Sequence, residues 1–191
     1  MLTHWVVMPT RLPLVVRRCH TCASSRARAD GKFRVNAHHK RIDAWLLVLC
    51  TLCGETAGLT VLVRTPVRSV RPGLLNRLHA NDTALAAELL QDPAFGRRNH
   101  IALDWEDAWC LDTNGSDHLD REVIDVWVRF AARIPVRPAR LIARGCGLSR
   151  AEVGRLITAG RLVSAVRLGG TLSGDFTFTR PDRLRHRRSV A

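Results

Sequence analysis

Tyrosine is absent from the 191 residues, and lysine is nearly so: Lys32 and Lys40 are the only two, leaving 28 of the 30 cations as arginine. Such a skew also follows from GC-rich codon usage, so arginine content alone carries no functional weight. Long apolar runs are missing too. The longest, residues 44–50, falls far short of the roughly 20 residues a bilayer-crossing helix needs. The first eighteen residues do not read as an export signal, because Pro9, Arg11 and Pro13 interrupt the apolar stretch and Arg17-Arg18 follow it. A cytoplasmic protein with no membrane partner is expected. There is no internal repeat, no glycine-rich phosphate loop and no G-x-S-x-G nucleophile elbow, so the familiar nucleotide-binding and hydrolase templates fail. The chain is shorter than the roughly 250 residues of a catalytic barrel. With 46% hydrophobic and 25% charged residues it is not a disordered chain.

What is present is charge, unevenly placed. The net charge of +13 divides into +9 over residues 1–75, −7 over residues 76–128 and +11 over residues 129–191. Two cationic ends around an acidic middle point to separate surfaces, and the total field draws polyanions. Local punctuation falls near the same places: Thr65-Pro66 to Arg71-Pro72-Gly73 reads as a linker, and Ile134-Pro135 with Arg137-Pro138 interrupts the chain again. The expected organisation is a first domain at 1–68, an acidic connecting segment at 69–132, a basic module at 133–182 and a basic tail at 183–191.

Hydropathy periodicity supplies the elements. Residues 33–37 alternate, residues 42–49 form a β-branched and apolar run, and His38-His39-Lys40-Arg41 turns between them, which together make a hairpin; residues 59–63 add a third strand. Asn81 or Asp82 caps a helix with Leu85, Leu89 and Leu90 on one face, stopping before Pro93. Residues 101–109 are ambiguous, since Trp105 and Trp109 have helical spacing while residues 123–130 beyond them read as strand. Pro138 opens a short helix that closes near Gly145-Cys146-Gly147; Ser149 caps a second helix through Thr158 and Gly160 ends it, with short strands at 162–166 and 176–178. The fold class is α+β.

Four of the six cysteines form two C-x-x-C pairs, Cys19-His20-Thr21-Cys22 and Cys50-Thr51-Leu52-Cys53, joined by the hairpin. Four thiolates converging on one ion are the ligand set of structural zinc, and a closed sulfur shell leaves no position for a reacting water. Gly54 suits a turn whose amides point at sulfur. The competing readings are four small buried hydrophobes or a redox dithiol, but lone cysteines rarely come doubled at this spacing. His20, His38 and His39 are alternative ligands that fit a solvated surface better, and Cys110 and Cys146 have no neighbour of their own. Asp112-Thr113-Asn114-Gly115 fails as a calcium loop because its twelfth position is Val123. The carboxylates Asp104, Glu106, Asp107, Asp117 and Asp120 read as a solvated face before they read as a catalytic site. Trp105, Trp109 and Trp127 read as core.

The string Arg18-Cys19-x-x-Cys22, Lys32-Phe33-Arg34-Val35-Asn36-Ala37, Asp43-x-Trp45-Leu46 and Cys50-x-x-Cys53 resembles zinc-ribbon modules and, more fully, a bacterial family catalogued as domain of unknown function 1062. The resemblance spans about residues 5–68 and continues more loosely to the C-terminus. It implies a three-stranded zinc-ribbon-like sheet and no particular activity. Further along, Leu148-Ser149-Arg150, Ile157-x-x-Gly160-Arg161-Leu162-Val163 and Gly174-Asp175 are similar to the ribosomal-S4-type RNA-binding module. Leu168-Gly169-Gly170 departs from its usual Asn-Gly. That resemblance implies that the second helix lies on structured RNA, with Arg144, Ser149, Arg150, Arg155 and Arg161 as the contact set.

Guanidinium groups suit phosphate because they bind it bidentately and release counterions. RNA is favoured over DNA only by the resemblance. The same two helices fit a DNA-reading helix-turn-helix with Arg150 and Glu152 at the groove, and in the bland reading these arginines are a solvated helix face. The sequence reading is therefore a non-enzymatic, zinc-stabilised protein that binds structured RNA. A DNA-binding regulator is the alternative, and an enzyme with its site in the acidic middle is a third reading.

Overall fold

A computed structural model describes residues 2–115 and 123–181. Asp117, Asp120 and the expected basic tail at 183–191, with its Arg183, His186 and Arg188, lie outside the described residues. The protein is α+β, with two five-stranded sheets. It forms two compact units: one is the continuous stretch Arg11–Ala108, the other the described residues within Met1–Thr10 and Trp109–Ala191. The boundaries expected at 68 and 132 rest on charge and local punctuation, whereas these units follow from which residues pack together. Surface charge does not report which core a segment joins.

The unit within Met1–Thr10 and Trp109–Ala191 starts with β1 (Leu2–Pro9), and the next stretch, from β2 to β6, belongs to the 11–108 unit. There β2 (Leu14–Val16), β3 (Arg26–His38), β4 (Arg41–Cys50), β5 (Thr56–Pro66) and β6 (Ala102–Asp104) form an antiparallel sheet in the order β5-β4-β3-β2-β6. The hairpin and third strand read from sequence are β3, β4 and β5, with β5 at one edge. Two short strands, β2 and then β6, extend the sheet on the β3 side beyond the expected three-stranded ribbon. The supposed linker at 65–73 is instead the end of β5, a single 3-10 turn (Val67–Ser69) and the start of α1 (Pro72–His79). With α2 (Thr83–Gln91) and α3 (Pro93–Arg98), α1 covers one sheet face. Leu78, Leu85, Ala86, Leu90 and Phe95 pack on Val15, Ala27, Ala29, Ala44, Leu46, Val48 and Leu59. The acidic middle is thus partly the lid of the first segment's core.

Asp82 caps α2 by accepting the Ala84 and Leu85 amides. A bulge in β3 between Ala29 and Phe33 makes room for that corner. Gly31 sits there at φ +77, and a Cβ on it would lie 2.7 Å from Thr83 Cγ2. Asn81 Oδ1 meanwhile accepts the Phe33 amide at 2.7 Å.

In the other unit β7 (Trp109–Asp112), β8 (Val123–Phe130), β9 (Val163–Ser164) and β10 (Phe176–Pro181) join β1 in the order β7-β1-β8-β10-β9. The β1–β8 pair is parallel and the others antiparallel. Helices α4 (Pro138–Cys146) and α5 (Arg150–Thr158) follow the boundaries expected of them. Leu141, Ile142 and Val153 are buried, together with Trp5, Val7, Val128 and Phe178, while Leu156 and Ile157 are half-buried. Of the three tryptophans read as core, Trp105 and Trp109 are buried but fall in different units, in a turn and at the start of β7; Trp127 is half-buried.

Candidate metal centre and basic helices

The two cysteine pairs occupy equivalent turns at one end of the 11–108 sheet. Cys19 and Cys22 lie in the β2–β3 connection; Cys50 ends β4 and Cys53 lies in the turn to β5. Ala27 and Cys50 are paired across β3 and β4, which brings the turns side by side. Each turn is closed in the same way: the Cys19 amide donates to Ser24 O at 2.7 Å and the Cys50 amide to Glu55 O at 2.8 Å. Each also needs a left-handed residue directly after its second cysteine. In the second turn that residue is Gly54 at φ +74, as expected; in the first it is Ala23 at φ +60, which composition does not announce.

The four sulfurs all lie within 4.8 Å of one another. Cys19 Sγ is 3.7 Å from Cys53 Sγ, and Cys22 Sγ is 3.5 Å from Cys50 Sγ. Bonds of about 2.3 Å from a central ion to four tetrahedral sulfurs place those sulfurs about 3.8 Å apart. The cluster therefore has the size of a metal shell, whereas a disulfide would bring two sulfurs to about 2 Å. These four residues can hold a metal ion.

The electrostatics agree. The amides of Cys22 and Thr21, aimed at Cys19, hold its thiol below the ordinary value. The amides of Cys53 and Leu52 draw Cys50 down to about 6. At Cys53 the Glu55 amide favours the thiolate, but the Cys22 thiol, desolvation and the other two sulfurs outweigh it and push Cys53 up to about 12. Turn amides thus prepare anionic sulfur, while four sulfurs this close resist a fourth negative charge until a cation shares it. His38 and His39 belong to the β3–β4 turn, remote in sequence from both cysteine turns, and are exposed.

The arginines singled out in the C-terminal helices are placed less simply. Arg144, Arg150 and Arg155 are exposed and Arg161 is half-buried. At about 100° per residue, Arg150 and Arg155 project about 140° apart around α5 and do not form one stripe. Ser149 is occupied: its hydroxyl accepts the Glu152 amide at 3.2 Å, and the Glu152 carboxylate accepts the Ser149 amide at 2.8 Å, a complete capping box. Glu152 is thereby tied to the helix start. Asp175 of the Gly174-Asp175 pair accepts the Phe130 amide at 2.8 Å. The short strand read at 162–166 is only Val163–Ser164.

A tighter cationic row lies on α4, where sequence reasoning named only Arg144. Arg140 and Arg144 follow i, i+4 spacing, about 40° apart, and the exposed Arg137 precedes them as the extended N-cap residue. Arg140 and Arg144 stack over the buried Trp109 ring at 5.9 and 5.4 Å from its centroid. The spacing was legible; the tryptophan beneath it, contributed by β7, was not.

Asp104 pairs with Arg26 at 2.9 Å, and Asp104, Glu106 and Asp107 line a hollow of only about 40 Å³. No helix among the described residues is long and apolar enough to cross a membrane. The family model described as Protein of unknown function (DUF1062) matches residues 35–168, most of the chain. The match includes the second cysteine pair, α4 and α5 and begins after the first pair. Comparison with curated proteins found no match, and comparison with solved structures found none.

Proposed function

The chain belongs to the DUF1062 family, and since that description assigns no activity, we propose from the geometry that the protein is non-enzymatic, binds zinc structurally and binds nucleic acid, structured RNA before DNA. The observation that carries this reading is the pair of matched cysteine turns with sulfurs at metal-shell spacing. Four sulfur donors favour zinc or iron over calcium or magnesium, and four thiolates complete the coordination of zinc, leaving it a structural role. The ion supplies folding free energy to the 11–108 unit and fixes the end of its sheet. The nucleic-acid part rests on the arginines of α4 and α5, with Arg140 and Arg144 as the closest pair and Arg137 preceding them, and on a net charge of +13. The S4-like sequence pattern is what favours RNA.

The metal is tested by elemental analysis of protein purified without added metal: one zinc per chain is expected, lost in Cys50→Ser, and a fully folded metal-free protein overturns it. The partner is tested by competition between a folded RNA hairpin and duplex DNA across a salt series. Arg140→Ala/Arg144→Ala and Arg150→Ala/Arg155→Ala are expected to weaken hairpin binding and flatten its salt dependence. Affinity that ignores both pairs overturns the nucleic-acid reading.

A further inference from the structure

The sheet of the 11–108 unit has a second face, opposite the one its helices cover. Along β3 the side chains alternate on either side of its bulge: Ala27 and Ala29 are buried under the helices while Arg26 and Arg28 are exposed on the other side, Lys32 is exposed within the bulge, and Arg34 rejoins the exposed side beyond it. The neighbouring strand contributes Trp45, Leu47 and Leu49 to that same side, all half-buried. The register sets them against the cations: Arg28 opposite Leu49 and Arg34 opposite Trp45. On β5 the face continues with Thr56, Gly58 and Thr60, opposite Leu49, Leu47 and Trp45. A row of cations thus runs beside a row of apolar side chains headed by an indole.

Two details give the face a ligand preference. A Cβ on Gly58 would sit 3.1 Å from Trp45 Cβ, Cγ and Cδ1, so the indole leans over a strand position that carries no side chain. The charges are also only partly answered: Arg26 is paired with Asp104 at 2.9 Å and Arg28 loosely with Asp30 at 3.6 Å, but among the described residues Lys32 and Arg34 have no carboxylate within salt-bridge distance. An aromatic surface flanked by unneutralised cations at strand spacing matches a chain that alternates flat bases with phosphates. A duplex offers its phosphates but keeps its base faces stacked away.

We infer that this face is a platform for single-stranded RNA, on which a base stacks against Trp45 while Lys32 and Arg34, with Arg28 behind them, follow the phosphates. The inference rests on the nucleic-acid reading above for its class of partner, but it uses none of the residues of α4 or α5.

The test is binding of the full-length, metal-loaded protein to a ten-residue oligouridylate, compared with an RNA duplex of equal length. The single strand is expected to bind more tightly. Trp45→Ala is expected to lower its affinity about 5- to 100-fold, the loss of one stacked base, while Trp45→Phe keeps most of it. Lys32→Gln/Arg34→Gln is expected to reduce the slope of log affinity against log salt by about 1.4, two phosphates at about 0.7 each. If Trp45→Ala fails to fold or loses its metal, Trp45→Phe and the charge pair decide the matter. Oligouridylate affinity unchanged by the charge pair and equal to duplex affinity overturns the platform. Loss of hairpin binding in the α4 and α5 variants with no oligouridylate binding removes this inference alone; oligouridylate binding that depends on Trp45 with indifferent α4 and α5 variants removes the helix reading alone.

Discussion

At the scale of single residues, the left-handed positions and glycines make the sharpest predictions. Ala23 holds φ +60 after the first cysteine pair, where its Cβ crowds the following carbonyl; Gly54 holds the equivalent position without that cost. Ala23→Gly should raise the stability of the metal-loaded protein by up to about 1 kcal/mol, measured by denaturant unfolding. Gly145 and Gly154 lie in successive helices and should respond to alanine with opposite signs. A Cβ at Gly145 would stand 2.3 Å from the Trp5 ring, so Gly145→Ala should destabilise by about 1–3 kcal/mol through overpacking. Nothing lies within 4 Å of a Cβ at Gly154, so Gly154→Ala should stabilise α5 by about 0.5–1 kcal/mol. Thermal melts of the two variants side by side decide both.

At the scale of elements, α1 and α2 are joined by one cation serving two carboxylates. Arg77 donates to Asp82 at 2.5 Å and to both Glu88 oxygens at 2.9 Å. Its guanidinium, followed by backbone amides at Asp82, holds both carboxyls below their usual values. Groups depressed in the folded state lend stability above their unfolded pKa, about 4, and withdraw it as pH falls through the lower folded values. The melting temperature should therefore fall on acidification below about pH 4, and Arg77→Gln should flatten that part of the profile. Ser149→Ala should cost α5 about 1 kcal/mol by opening its capping box. These elements were legible in the sequence because their signals are local: Asp82, Pro138, Ser149 and Gly160 mark helix ends, and the alternation at 33–37 with the run at 42–49 marks the hairpin. The cysteine turns were legible for the same reason, down to Gly54 but not Ala23. What a short window cannot carry is pairing between distant segments. The short strands β2 and β6 find each other across some 90 residues, with Val15 opposite Leu103. Trp105 and Trp109 look like one helix face because spacing alone does not reveal that the chain passes from one core to another between them.

At the scale of the whole molecule, Pro9 and Trp109 are opposite residues of the β1–β7 ladder, so the 11–108 unit leaves and re-enters its host sheet at one rung. Replacing residues 10–108 by Asn-Gly should convert β1 and β7 into an ordinary two-residue hairpin. The shortened chain should fold, lack the metal and show near-ultraviolet tryptophan signals of a fixed core; a molten product would refute the independence of the two cores. The complementary fragment, residues 11–108, should bind one metal ion and lose its cooperative melt on chelation. Order of synthesis gives the same topology a temporal side. The strand Leu2–Pro9 is made before either neighbour that satisfies its amides: β7 and β8 follow about a hundred residues later. At about 5–20 residues per second the nascent chain carries an apolar, unmatched ribbon for several seconds while the guest matures beyond it. Expression yield should accordingly depend on chaperone supply more than the finished protein's stability would suggest.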